Sequence, residues 1–236
     1  AQESAAWLAC TLEAAWLPTP KAVRTRIPLN ATLPAVPAER VPEVLAKYEG
    51  EIQELKIKVA EKGQSLADDI ARVAAARDAL PSARLKVDAN MGYTLAGALE
   101  ALRKLCEYGI IYAEQPVASI EDMAALRFAI AKEGLPARIA ADESIRKAED
   151  PLKVARANAA DLMVIKAAPL GGVRRALALV EQAQLPAVVS SALESSVGIA
   201  TGASLAASLP TLRYGCGLGT VSLMAEDVTD EPLIAR

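Results

Sequence analysis

The sequence contains no histidine. Ser-His-Asp and Cys-His catalysis are therefore excluded, as is a zinc site built on imidazole. Any acid–base chemistry falls to carboxylates, lysine, tyrosine or cysteine. Aromatic residues are almost as scarce, at 3% with a single phenylalanine, while hydrophobic residues reach 53%. A core made from this composition consists mostly of Ala, Leu, Val and Ile. Three cysteines, Cys10, Cys106 and Cys216, are odd in number and widely spaced, which fits a reducing compartment better than a disulfide framework. No apolar run reaches the roughly 18–20 residues of a membrane span. The formal charge of −3 gives no footprint for nucleic acid or anionic lipid. The alanine-rich stretch Ala5–Ala15 is broken by Glu13 and lacks a basic flank, so it does not read as a signal peptide. A cytoplasmic protein is expected, with no membrane and no nucleic-acid partner.

What is present is a regular alternation. Strand-like runs recur every 25–30 residues or so, the period of βα units: 27–32, 54–59, 84–90, 110–114, 138–142, 162–166, 187–191 and, weakly, 212–216. Helical patterns lie between them, near 39–49, 65–80, 94–107, 119–133, 148–157, 171–183 and 194–208. In the second of these, Ser65 and Asp68 form a capping-box-like start, Leu66, Ile70, Val73 and Leu80 share one face, and Pro81 stops the helix. The 236 residues approach the roughly 250 of a (β/α)₈ barrel. No G-x-G-x-x-G follows the first strand, so an open dinucleotide-binding sheet has no motif behind it. The expected fold is α/β, a TIM-type barrel over 21–236, with residues 1–20 forming a helix packed outside it.

The strand ends carry the chemistry. Residues i and i+2 of a strand share a face, and barrel active sites sit at the C-terminal strand ends. Successive strands here end in Lys56-Ile57-Lys58, Asp88-Ala89-Asn90, Glu114-Gln115-Pro116, Asp142-Glu143-Ser144 and Lys166. One such charge is ordinarily a solvated loop residue; a run of them at neighbouring strands has to neutralise itself or hold a metal. Three carboxylates without histidine or thiolate suit a hard cation, Mg²⁺ first and Mn²⁺ as a substitute. A cation on a substrate carboxylate acidifies its α-proton. A lysine crowded by another, as Lys58 is by Lys56, is suited to take that proton near neutral pH.

These motifs, in this order and over nearly the whole chain from about Arg26, resemble the muconate-lactonising-enzyme subgroup of the enolase superfamily, whose sites pair a lysine base with Mg²⁺. The strings 58–64, 141–146, 169–173 and 189–198 are similar to those of o-succinylbenzoate synthases. The resemblance implies a (β/α)7β barrel beneath an N-terminal α+β capping domain, of which only a remnant at 1–20 is represented. It implies Mg²⁺ on Asp88, Glu114 and Asp142. It also implies Lys58 as the acid–base residue of a syn dehydration of 2-succinyl-6-hydroxy-2,4-cyclohexadiene-1-carboxylate in menaquinone biosynthesis. Lys56 would then set the protonation state of Lys58, and Lys166 would stabilise the enediolate from the opposite face. Asn90 and Ser144 would orient the metal ligands, and Ser190, Ser191 and Gly217 would lie near the succinyl tail. The implied partner is a small-molecule carboxylate, and a monomer is favoured.

Alternatives remain open at this level. The same lysines could racemise N-succinylamino acids. A barrel without its lid could bind metal and lack activity. A Schiff-base aldolase would leave three aligned carboxylates unexplained. Dipeptide epimerisation is disfavoured, because no Asp-x-Asp occurs around Tyr214–Gly219.

Overall fold

Seven strands carry the alternation into three dimensions in the computed structural model, which describes residues 20–234. They are β1 (Ala31–Leu33), β2 (Glu54–Lys58), β3 (Arg84–Asp88), β4 (Ile110–Glu114), β5 (Arg138–Ala141), β6 (Leu162–Ile165) and β7 (Ala187–Val189). They are hydrogen-bonded in chain order, and the pairings from β1 to β6 are all parallel. Parallel neighbours need a crossover between them. The crossovers here hold α1 (Val41–Leu45), α2 (Leu66–Ala79), α3 (Leu95–Leu105), α4 (Ile120–Glu133), α5 (Glu143–Arg146), α6 (Lys153–Arg156) and α7 (Val173–Ala183), and α8 (Ser196–Ser208) follows β7. The helix expected at Ala5–Trp16, with Trp7 and Trp16, lies outside the described residues.

Two compact units divide the chain, one over Asn30–Met163 and the other over Val164–Arg236 with the residues up to Leu29. In the first, Leu55, Ile57, Leu85, Leu105, Leu126 and Ile139 are all fully buried, the aliphatic core that a chain poor in rings requires. In the second, the segment around 214–217 forms two isolated parallel bridges, Leu29 to Cys216 and Ser190 to Gly217. The expected strand at 212–216 is reduced to these bridges, because Gly215, Gly217 and Gly219 weaken any regular strand. The expected helix at 148–157 shrinks to α6. Pro151 delays its start, Asp150 accepts from the Leu152 amide, and Asn158 leaves it at a φ of 51°. Cys216 is buried and Cys106 half-buried, and both are free thiols.

α2 departs from its expected face. Ser65 and Asp68 do form the capping box, but the helix buries Asp69, Arg72, Val73 and Ala76, and of the expected apolar face only Val73 is fully buried. The reason is an ion pair: Arg72 Nη1 lies 2.9 Å from Asp69 Oδ1, with Arg72 wholly inaccessible. Asp69 also accepts from the Tyr93 hydroxyl at 2.6 Å. Burial, and then that hydrogen bond to Asp69, push the Tyr93 phenol above its usual range.

Two outcomes follow for stability. Ser65→Ala removes one half of the capping box and should cost about 1 kcal/mol in a urea melt, whereas replacing the 72% exposed Phe128 by Ala should stay within about 0.5 kcal/mol. A phenol whose folded pKa is raised contributes stability that is present below its unfolded value and lost as pH rises through the folded one. Wild-type chain should therefore lose stability above pH ~10 more steeply than Tyr93→Phe, as read by melts at stepped pH.

Candidate active site

Within the unit Asn30–Met163, the register sets the polar strand ends side by side. Lys58 pairs with Asp88, and Asp88 with Glu114. Since Glu54, Lys56 and Lys58 share one face of β2, as Lys86 and Asp88 do on β3 and Tyr112 and Glu114 on β4, the sheet presents a ladder of ionisable groups. Asp88 and Glu114 are 1% and 2% exposed, so their charges need partners. Lys56 supplies one to both, at 3.0 Å from Asp88 Oδ2 and 3.3 Å from Glu114 Oε1. Lys58 Nζ lies 2.6 Å from the same Asp88 oxygen and donates to Asn90 Oδ1 at 2.5 Å.

These contacts fix protonation states. Burial pulls the Lys56 ammonium towards its neutral form, but Glu114 and Asp88 outweigh it, and its pKa ends above the usual lysine value. Burial likewise opposes ionisation of Asp88, and Lys56 and Lys58 overcome it, holding its carboxyl at about 2. Lower on the same face, Lys86 is fully buried beside Glu54 and 5.4 Å from the Tyr112 ring centre. Burial depresses its pKa, against the pull of Glu54 and Glu114.

The fifth strand end joins through a second set of contacts. Asp142 caps α5 and pairs with Arg146 at 3.2 Å. Arg146 also reaches Glu143 at 2.8 Å, and Asn90 Nδ2 donates to the same Glu143 oxygen at 3.2 Å. Gln115 organises the turn from beneath. Its Oε1 accepts from the amides of Asp142 and Ser144, at 3.0 and 3.1 Å, and its Nε2 donates to Ser144 Oγ at 2.8 Å. Asn90 thus touches Lys58 and Glu143, and Ser144 meets Asp142 only through Gln115, which bonds them both. Glu143, Gln115 and Arg146 carried no assigned role in the sequence reading. Their only signal there was adjacency to Asp142 and Glu114.

Backbone strain marks the same strand ends. Ala60, Asn90, Met91 and Gln115 have φ values of 58°, 43°, 69° and 37°, in the left-handed region that side chains other than glycine's disfavour. They stand one to three residues beyond Lys58, Asp88 and Glu114. Such strain persists only where surrounding contacts over-determine it, and it clusters at functional sites.

Whether these residues suit a divalent cation can be judged from their chemistry. Asp88, Glu114 and Asp142 are hard oxygen donors, each at most 2% exposed, in a sequence without histidine. Glu143 Oε2 is buried with no hydrogen-bond partner, an orphaned acceptor beside Asp142. The donor types fit. In this arrangement Lys56, Lys58 and Arg146 neutralise the carboxylates, and no group of three or more Cys, Asp or Glu among the described residues converges tightly enough to hold a metal.

The unit Val164–Arg236 brings together its own expected set. The amide of Ser190 donates to Ile165 O at 3.0 Å, at the β6 end that leads into Lys166. Ser191 donates to Gly217 O through its amide at 2.8 Å and its hydroxyl at 2.9 Å, and Thr220 Oγ1 lies 2.8 Å from Ser191 Oγ. Lys166 is buried. The half-buried Glu194 has its carboxyl pKa raised by burial, against the Ala192 backbone and the charge of Lys166. Sequence reading gave Glu194 no part.

Comparison with known proteins gives the family. A family model described as "Enolase C-terminal domain-like" matches residues 38–236. An o-succinylbenzoate synthase of Mycolicibacterium smegmatis is 57% identical over 229 residues, covering 97% of this chain and 69% of that protein. One from Thermobifida fusca is 48% identical, covering 99% and 72%. Among solved structures, muconate cycloisomerase from Pseudomonas fluorescens superposes with a TM-score of 0.78 at 30% identity, over 91% of this chain and 60% of that one. A dipeptide epimerase from Enterococcus faecalis reaches 0.74 at 25%. The chain thus belongs to the o-succinylbenzoate synthases, hydro-lyases of the enolase superfamily.

Proposed function

We propose that this chain carries the catalytic domain of an o-succinylbenzoate synthase, a (β/α)7β barrel that dehydrates 2-succinyl-6-hydroxy-2,4-cyclohexadiene-1-carboxylate to o-succinylbenzoate for menaquinone biosynthesis. The observation that supports it most directly is the Lys58 contact set. Its Nζ touches Asp88 and Asn90, and Asp88 shares Lys56 with Glu114. An acid–base group and two acidic side chains thereby form one hydrogen-bonded cluster, in a chain 57% identical to a protein of that name.

Lys58 takes the substrate's α-proton and returns it to the departing hydroxyl on the same side, so one group serves as base and then acid. It acts from the open end of the cluster, where Lys56 is held between Asp88 and Glu114 beside it. Asn90 Oδ1 keeps the ammonium aimed. Lys166 is assigned the opposite face of the substrate, where a fixed cation offsets the negative charge that grows on the carboxylate as the proton leaves. Ser190, Ser191 and Gly217 are assigned to the succinyl tail. Asp88, Glu114 and Asp142 would hold Mg²⁺, with Mn²⁺ a substitute, and Asn90, Gln115 and Ser144 would fix their orientation. When bound, the cation supplies positive charge to the substrate carboxylate and acidifies the α-proton.

The decisive assay follows o-succinylbenzoate formation by the purified chain with Mg²⁺, with EDTA, and as Lys58→Ala. Product should require the metal, and the substitution should lower kcat by at least ~100-fold, the scale of general acid–base catalysis. Full activity in EDTA, or an active Lys58→Ala, would overturn the assignment.

Metal binding can be read without turnover. Mg²⁺ at a hundredfold of its Kd should stabilise the wild-type chain by about 2.7 kcal/mol, visible as a raised Tm. Asp142→Asn should abolish that rise, while Ser65→Ala, outside the cluster, should keep it. An equal Mg²⁺ effect on wild type and Asp142→Asn would remove Asp142 from the ligand set.

A further inference from the structure

The buried pair on α2 sits against the backbone that carries Lys58. Arg72 Nη1 donates to the Lys58 carbonyl at 2.9 Å as well as to Asp69. Its Nε donates to Val36 O at 2.6 Å, and its Nη2 to the Gln64 side chain. Asp69 Oδ2 accepts from the Ala60 amide at 3.0 Å and from the Tyr93 hydroxyl at 2.6 Å. Two residues after Lys58, therefore, the strained left-handed turn at Ala60 is gripped through its own N–H. The loop after β3 closes the other side: a Cβ at Gly92 would lie 2.5 Å from the Ala60 carbonyl oxygen, so only glycine permits that approach. The three groups of the clamp are polar, buried or half-buried, and unused by the chemistry described above.

We infer that Asp69, Arg72 and Tyr93 form a positioning clamp that fixes the Lys58 backbone, and through it the placement of Nζ against Asp88 and Asn90. This inference rests on the proposed acid–base role of Lys58. The physical argument is one of tolerance. A displacement of about 1 Å in a reacting group can cost ~10²-fold in rate, and Lys58 is the last residue of β2, with the Val59 amide still bonded to Asp88 O at 3.0 Å. The Lys58 carbonyl bond to Arg72 and the Ala60 amide bond to Asp69 add to that bond from the helix side, one on either side of Val59. A residue that positions the base without touching substrate lowers kcat and leaves KM nearly unchanged.

The test uses Tyr93→Phe and Arg72→Lys, each with steady-state kinetics, Tm, and amide hydrogen exchange of peptides spanning 58–63. Tyr93→Phe deletes a single hydroxyl and is chosen to stay folded. The expected result is a kcat lowered ~3–10-fold in Tyr93→Phe and ~30–100-fold in Arg72→Lys, with KM within about twofold. Exchange at 58–63 should rise at least about threefold while peptides from β4 and β5 exchange as in wild type. Unchanged exchange at 58–63 would overturn the clamp. Faster exchange with unaltered kcat would overturn its positioning role, as would a loss spread over KM, kcat and every peptide together. If the wild-type chain itself gave no product, the functional reading would fall. Exchange at 58–63 would then decide by itself whether the clamp holds the Lys58 backbone.

Discussion

One cation between two buried carboxylates underlies the rest of this architecture. Lys56 stands 3.0 Å from Asp88 and 3.3 Å from Glu114, and without it two nearly inaccessible carboxylates would face each other across neighbouring strands. Breaking a buried pair by removing one partner typically costs 3–5 kcal/mol, a large part of a domain's net stability. The parallel register that aligns Lys58, Asp88 and Glu114 is therefore tied to a charge balance as much as to the aliphatic core beneath it. The same balance sets charge states within the candidate site. It keeps Asp88 ionised and Lys56 protonated, and it leaves Lys58, the more exposed of the two lysines, at the open end of the cluster.

The strand ends were legible in the sequence because a strand is a simple code. Alternation places Lys56 with Lys58 and Asp88 with Asn90, and six of the eight expected strands recur within a few residues of their expected bounds. The exceptions have local causes. Glycines at 215, 217 and 219 leave bridges in place of the eighth strand. At the N-terminal side, β1 begins at Ala31, while Leu29 contributes only a bridge. The principal site residues carried their own signal, being ionisable groups at positions where a buried strand would otherwise be apolar.

Their supporting partners carried no such signal. Asp69 and Arg72 sit in a helix whose sequence, Leu66-Ala-Asp-Asp-Ile-Ala-Arg, reads as an apolar stripe beside a solvated face. In the structure the charged pair is inside, because its partners, the Lys58 carbonyl, the Ala60 amide and the Tyr93 hydroxyl, come from elsewhere in the chain. Periodicity assigns burial by residue type, so a helix that buries charge against a loop defeats it. Gln115 and Arg146 were hidden for a related reason. Each is an ordinary polar residue after a strand end until the tertiary structure shows that it bonds Asp142.

Positive φ values at Ala60, Asn90, Met91 and Gln115 join the two levels. A chain leaving a parallel strand for a crossover helix has to turn, and glycine would make that turn at least cost. These strand ends turn instead through residues whose side chains or amides are engaged. Asn90 contacts both Lys58 and Glu143, Gln115 holds Asp142 and Ser144, and the Ala60 amide meets Asp69. Asn90 and Gln115 could not be replaced by glycine without losing the contacts that orient the cluster, so strain and these contacts occupy the same residues. At Ala60 the backbone itself is the contact, and there the burden of holding the strained turn passes to α2. The buried ion pair that made this helix hard to read is thereby the element that a strained, lysine-bearing strand end requires.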